Sequence, residues 1–93
     1  MLEEDIVNAI MKYLKTLSPF CFAWKEHSGM YGTAGIPDII CCYRGKFIAF
    51  EVKTPKGRPT DKQVNFINQM KKHGAIAGIC RSADEAINLI LEV

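Results

Sequence analysis

Apolar residues at Leu2, Ile6, Ala9, Ile10, Tyr13, Leu14 and Leu17 recur three and four apart, which lines one face of a helix. Residues 2–17 are therefore predicted to form an amphipathic helix. Ser18-Pro19 ends it, because a proline biases the residue before it away from helical backbone. Phe20–Lys25 is short, aromatic and strand-like, and residues 26–35, with Gly29, Gly32 and Gly35, read as a loop. Two β-rich runs, Ile36–Tyr43 and Phe47–Lys53, flank Arg44-Gly45-Lys46 and predict a hairpin. Pro55, Gly57 and Pro59 make a rigid loop. Thr60 and Gln63 fit a capping box for a helix through about His73, with Val64, Phe66, Ile67 and Met70 as its apolar stripe and Gly74 as its cap. Ile76–Cys80 reads as a further strand, and Ser82 with Glu85 as a second capping box opening a last helix. The predicted order is α-β-β-β-α-β-α.

The chain has 93 residues, 48% hydrophobic and 24% charged, with a formal net charge of +2. That length supports a single domain over residues 1–93, and the charged fraction argues against disorder. No apolar run approaches the roughly 18 residues that span a bilayer. The N-terminal Met-Leu-Glu-Glu-Asp is acidic where a secretory signal would be basic. A cytoplasmic protein with no membrane partner is expected. Cys21, Cys41, Cys42 and Cys80 form no C-x-x-C spacing and are expected as small buried hydrophobes rather than zinc ligands. Charge is uneven: residues 44–81 carry nine Lys/Arg against two acids, between more acidic ends, which suits a polyanionic partner.

Three ionisable groups stand in the hairpin where core strands should be apolar: Asp38 near the start of one run, Glu51 and Lys53 near the end of the other. Burying a carboxylate among Ile, Phe and Val is costly without compensation. A two-residue turn at Arg44-Gly45 would pair Tyr43 with Lys46, Cys41 with Ile48 and Asp38 with Glu51. The two carboxylates would then share a face with Cβ atoms about 4.5–5.5 Å apart, and Lys53 would project from that face too. Arg is disfavoured in such a turn, and a longer loop would shift the register. Like charges so placed repel unless one is protonated or a cation lies between them. Oxygen ligands of this kind suit Mg²⁺ or Mn²⁺. A third carboxylate could come from the first helix, Glu3 or alternatively Glu4; acids there also complement a helix N-terminus without any further role.

Pro37-Asp38 followed by Glu51-Val52-Lys53 resembles the PD-(D/E)xK nuclease signature. The wider pattern resembles the VRR-NUC (virus-type replication-repair nuclease) family: Glu3, the segment Trp24-Lys25-Glu26-His27-Ser28-Gly29, then Gly35-Ile36-Pro37-Asp38, Phe50-Glu51-Val52-Lys53, a Gly/Pro/Arg loop and Gln63. A chain this short is similar to the stand-alone phage and bacterial members. Val7 stands where several relatives carry Gln, one residue after Ile6. The resemblance implies an α/β, restriction-endonuclease-like fold with a mixed sheet flanked by helices.

It further implies that Asp38, Glu51 and the Val52 carbonyl bind Mg²⁺ (or Mn²⁺), with Glu3 acting directly or through water. Lys53 would orient or deprotonate a water and stabilise developing charge, and Gln63 would orient Lys53, the water or a phosphate. Lys56 and Arg58 are expected to contact backbone phosphates, and Lys25, His27 and Ser28 the strand being cut. Trp24 and Tyr43 are expected in the core or an interface. The implied activity is phosphodiester hydrolysis of DNA, leaving a 5′-phosphate and a 3′-hydroxyl. Four-way (Holliday) junctions are the expected substrate and a homodimer the expected assembly, since symmetric cutting suits a two-fold axis. A flap, single-strand or restriction-like nuclease and a non-catalytic nucleic-acid-binding module are the alternatives.

Overall fold

A computed structural model describes residues 2–26 and 34–93. The elements are α1 (Glu3–Lys15), β1 (Cys21–Lys25), β2 (Ile39–Tyr43), β3 (Lys46–Val52), α2 (Asp61–Lys72), β4 (Ile76–Cys80) and α3 (Ala83–Ile90), in the predicted order. The strands form one mixed sheet in the order β1-β2-β3-β4, antiparallel except for the parallel β3–β4 pair. Among the described residues no helix is long and apolar enough to cross a membrane.

Strand alternation divides the side chains between two layers. On one face Ile6, Ile10 and Leu14 of α1 and Ala86 and Ile90 of α3 pack against Ile39, Cys41, Ile48, Phe50, Val52 and Cys80. On the other, Ile67 of α2 packs against Ile40, Ala49 and Ala77. α1 buries Ile6, Ile10 and Leu14 of its predicted stripe but leaves Leu2 and Ala9 exposed, α2 buries only Ile67 with Val64, Phe66 and Met70 half-buried, and α3 buries Ala86 and Ile90 while Leu91 stays exposed. The adjacent Cys41 and Cys42 fall on opposite faces, and of the four cysteines expected to be buried only Cys41 and Cys80 are, Cys21 being half-buried and Cys42 exposed. α2 leaves the β1–β2 side of its face open. There Phe22, Cys42 and Phe47 sit side by side across three strands and all remain exposed.

The hairpin takes the two-residue turn despite its arginine. Arg44 has φ 52° and Gly45 φ 81°, the left-handed pair that a primed turn requires. Arg44 is offset by its contacts: its guanidinium lies 4.7 Å from the Phe20 ring centre and 5.5 Å from that of Tyr43, and its amide donates to Phe20 O at 3.0 Å. The register then runs Tyr43–Lys46, Cys41–Ile48 and Ile39–Phe50. β2 begins at Ile39 rather than Ile36, which corrects the predicted strand. The reason is Pro37, which has no N–H to give the ladder. The last helix likewise opens on half a capping box. Ser82 Oγ accepts from the Glu85 amide at 3.2 Å, but the Glu85 carboxylate accepts from the Arg81 amide instead of from Ser82.

Phe50 is fully buried between β3 and α1, whereas Phe47, three residues earlier on the opposite face, is 44% exposed. Phe50→Ala is expected to cost about 3–5 kcal/mol of folding stability and Phe47→Ala under about 1 kcal/mol. Urea denaturation of the two variants measures the contrast.

Candidate functional site

The site forms where the hairpin ladder runs out. Pairs flanking a two-residue turn alternate between hydrogen-bonded and non-hydrogen-bonded, so Tyr43–Lys46, Cys41–Ile48 and Ile39–Phe50 are the bonded ones. The next bonded pair would be Pro37 with Val52, and proline cannot donate. The Val52 amide donates to Asp38 Oδ2 at 2.8 Å, a side-chain oxygen standing where the Pro37 carbonyl would accept. On its other edge β3 continues into β4, where the Lys53 amide donates to Cys80 O at 3.1 Å. Pro37 has no N–H for the Val52 carbonyl either, so that oxygen is left as a candidate ligand beside Asp38.

Glu51 is 1% exposed, the one buried charged residue among those described. Strand alternation places it on the same face as Ala49 and Lys53. Its Oε2 lies 3.9 Å from Lys53 Nζ, while its Oε1 is buried without a hydrogen-bond partner among the described residues. Burial pushes the Glu51 carboxyl up to about 8 from its ordinary 4.5. The neighbouring Asp38 carboxylate pushes it further the same way; Lys53 partly opposes it, and Glu3 adds a smaller push upward. Without a cation, this carboxyl holds a proton near neutral pH. An orphaned buried oxygen beside a second carboxylate is the donor set that a hard divalent cation fits.

Asp38, Glu51, Val52 and Lys53 are thus brought together. Glu3 is exposed at the start of α1 and lines, with Glu4, Val7, Lys25, Glu26 and Asp38, a cleft of about 310 Å³. Both candidate helix acids share that cleft with Asp38. Among the described residues, however, no three His, Cys, Asp or Glu side chains are close enough to hold one metal ion. Gln63 sits on the first turn of α2 with its Oε1 accepting from the Thr60 amide at 2.9 Å, so its carbonyl serves the helix cap. It makes no hydrogen bond to Asp38, Glu51 or Lys53. Lys56 and Arg58 are exposed on the loop after β3, and Lys25 is exposed at the end of β1. His27 and Ser28 lie outside the described residues. Trp24 is partly exposed, and Tyr43 is half-buried.

Two positions without an assigned role support the site. The Glu26 amide donates to Asp38 O at 2.8 Å, and its carboxylate accepts from Trp24 Nε1 at 2.8 Å, which fixes the strand end against Asp38. An acid directly after a strand looked no different from a solvated surface residue. Gly35 has φ 82°, and a Cβ there would lie 2.5 Å from the Lys62 carbonyl oxygen. It joins the approach to Asp38 to the first turn of α2. A glycine in a glycine-bearing loop carries no sign of such a contact.

A family model described as "VRR-NUC domain" matches residues 3–84. No curated protein matches the chain. Two solved structures share its fold. One, described as "VRR_NUC domain", is 23% identical with a TM-score of 0.77, covering 95% of this chain and 92% of its own. The other, "VRR_NUC domain protein", is 21% identical with a TM-score of 0.73, covering 99% of this chain and 87% of its own.

Two outcomes follow from the geometry. In the metal-free protein Glu51 binds its proton up to about pH 8 when folded, but only to its ordinary 4.5 when unfolded. Its stabilising contribution is therefore full below pH 4.5, declines as pH rises and is gone above about 8. The unfolding free energy from urea denaturation in EDTA should fall between pH 5.5 and 8.5, by on the order of a few kcal/mol. In Glu51→Gln that slope should be absent, and a slope that persists refutes the assignment. Gly35→Ala, strained at positive φ and set against backbone, is expected to cost about 2 kcal/mol or more by the same measurement.

Proposed function

The chain belongs to the VRR-NUC domain family, a nuclease-type family acting on DNA, and from that premise and the site's geometry we propose a divalent-metal-dependent, structure-selective DNA endonuclease that cuts four-way junctions as a homodimer. The observation that carries the reading is the buried, partnerless oxygen of Glu51 beside Asp38, with the Lys53 ammonium 3.9 Å from the other Glu51 oxygen. A neutral core has no use for that arrangement, and a cation gives it one.

Asp38 and Glu51 would hold the ion, with the Val52 carbonyl as a third oxygen and Glu3 acting through water across the cleft. Such a cation, when bound, lowers the pKa of a water and offsets charge on the reacting phosphate. Lys53 lies on the same face and donates hydrogen bonds where negative charge gathers as water attacks phosphorus and the bond to O3′ breaks. The ammonium is held against Glu51 in advance of the substrate, so little reorganisation is needed during reaction. The free amide N–H groups of Gln63 remain available to a water or a phosphate. Lys25, Lys56 and Arg58 would grip the backbone without reading bases, which suits selection by shape. His27 and Ser28 would join them at the strand being cut.

The homodimer reading is supported by the uncovered row Phe22, Cys42 and Phe47, an apolar strip that a second copy would shield. Two sites related by a two-fold axis match a junction with two equivalent strands.

The deciding experiment is cleavage of a labelled four-way junction by purified protein, in Mg²⁺ and in EDTA, beside flap, single-stranded and linear duplex substrates. Cutting is expected only with metal and fastest on the junction, by a species twice the 10.4 kDa of one chain. Lys53→Ala should lower the rate about 100-fold or more while retaining junction binding. Unchanged cutting by Lys53→Ala would defeat the mechanism, and equal cutting of every substrate would defeat the junction preference. Binding with no cleavage under any metal would leave a nucleic-acid-binding module.

A further inference from the structure

Arg81 directly follows β4 and precedes Ser82, the N-cap of α3, where a cation faces the positive end of the helix dipole instead of complementing it. No acidic side chain forms an ion pair with its guanidinium among the described residues. Instead one nitrogen, Nη1, donates to three backbone carbonyls some 25 residues away in sequence: Thr54 O at 2.7 Å, Gly57 O at 2.7 Å and Pro55 O at 3.3 Å. The turn they belong to is closed from within by the Gly57 amide donating to Thr54 O at 3.0 Å. The arginine itself is anchored at its root, since its amide donates to Glu85 Oε1 at 3.1 Å. The preceding residue, Cys80, is fully buried, and its carbonyl accepts the Lys53 amide at 3.1 Å. One dipeptide, Cys80-Arg81, thus holds Lys53 by its amide and the following turn by its carbonyls.

From this we infer that Arg81 is a positioning residue: its guanidinium clamps the Thr54–Gly57 turn and thereby sets Lys56 and Arg58 for phosphate contact beside Lys53. The inference rests on the nuclease reading above, because it assigns those two side chains a nucleic-acid ligand. All three side-chain bonds go to main chain, so the exposed Lys56 and Arg58 stay free. Charge-assisted hydrogen bonds are stronger than neutral ones. A turn ordered in advance spares binding the entropy of ordering it. Lysine can replace this only in part, since its ammonium sits on a shorter, more flexible stem and is more strongly hydrated than the guanidinium nitrogen that makes these bonds.

Arg81→Met keeps the apolar stem and removes the donors; Arg81→Lys keeps the charge. Hydrogen exchange at the Gly57 amide of the free protein reads the clamp without any nucleic acid. In Arg81→Met it is expected to speed up about tenfold or more. Binding to a labelled four-way junction in EDTA reads the consequence: Kd is expected to weaken about tenfold in Arg81→Met, with part of the loss recovered in Arg81→Lys. When Lys56→Ala and Arg58→Ala are already present, adding Arg81→Met should change Kd less than about twofold. Unchanged exchange overturns the clamp. Faster exchange with full additivity in the binding cycle overturns its link to Lys56 and Arg58, leaving Arg81 either structural or itself a phosphate contact. A wild-type protein that binds no nucleic acid removes the nuclease reading and this inference with it, before any Arg81 variant is compared.

Discussion

Where β2 should continue pairing with β3, Pro37 offers no N–H, and a side-chain oxygen replaces a backbone one. The Val52 amide donates to Asp38 Oδ2 at 2.8 Å instead of to a strand carbonyl. That exchange ties a carboxylate to the end of β3, within interaction distance of Glu51 on the same strand. It also leaves the Val52 carbonyl facing a residue that cannot donate. The site is therefore a consequence of terminating a hairpin at a chosen pair, and the neighbouring Lys53 inherits its place from the same strand.

Glu51 shows what this arrangement costs. A carboxyl 1% exposed, with one oxygen partnerless, is among the least favourable things a small core can contain. Lys53 at 3.9 Å offsets only part of that, because its charge still leaves the carboxyl pushed up to about 8. The metal-free fold accommodates the misfit by taking up a proton. A divalent cation would accommodate it by charge, and the two compete for the same oxygens. Stability and any ion affinity would thus be coupled through one side chain, with opposite dependence on pH. The rest of the β3 interior, from Ile48 through Phe50 to Val52, is conventional apolar packing, which is what allows one such violation to be tolerated.

Periodicity revealed all seven elements, because each helix buries part of one stripe and each strand alternates between the α1–α3 layer and the opposite face, which α2 covers only over β3 and β4. Boundaries were less legible where proline chemistry, rather than hydropathy, decides: Ile36-Pro37-Asp38 looks like strand in composition but lies outside the ladder. The hairpin register was readable because only one spacing pairs Tyr43 with Lys46, even though Arg44 is a poor residue for its own backbone. Its stacking on Phe20 and Tyr43 is a tertiary contact that no local pattern announces. Asp38, Glu51 and Lys53 stood out as charges in apolar runs. Glu26 and Gly35 entered only as members of the family pattern, with no role, and Arg81 not at all, since their importance lies in main-chain partners, and a surface acid, a loop glycine and a lone arginine look ordinary in sequence. Gln63 was legible twice over, as a cap and by resemblance, and the hydrogen bond that forms is the cap.

All three helices begin at the end of the sheet where these groups gather. α1 opens at Glu3, which shares a cleft with Asp38. α2 opens at Asp61, and the carbonyl of its second residue abuts Gly35, three residues ahead of Asp38. α3 opens just beyond Cys80, whose carbonyl holds the Lys53 amide. Helix N-termini carry partial positive charge, so their convergence lowers the cost of clustering carboxylates and favours an anionic ligand. Acids in the first turns, Glu3, Glu4 and Asp5 in α1, Asp61 in α2, Asp84 and Glu85 in α3, draw on that same field. The loop between β3 and α2 adds Lys56 and Arg58, while its turn is held by a cation bound only to carbonyls. A net charge of +2 would not by itself mark a polyanion-binding protein. What sets the local balance is which end of the sheet the helices start from: the parallel β3–β4 pair starts α2 and α3 there, and α1, which leads into β1 antiparallel to β2, starts there as well.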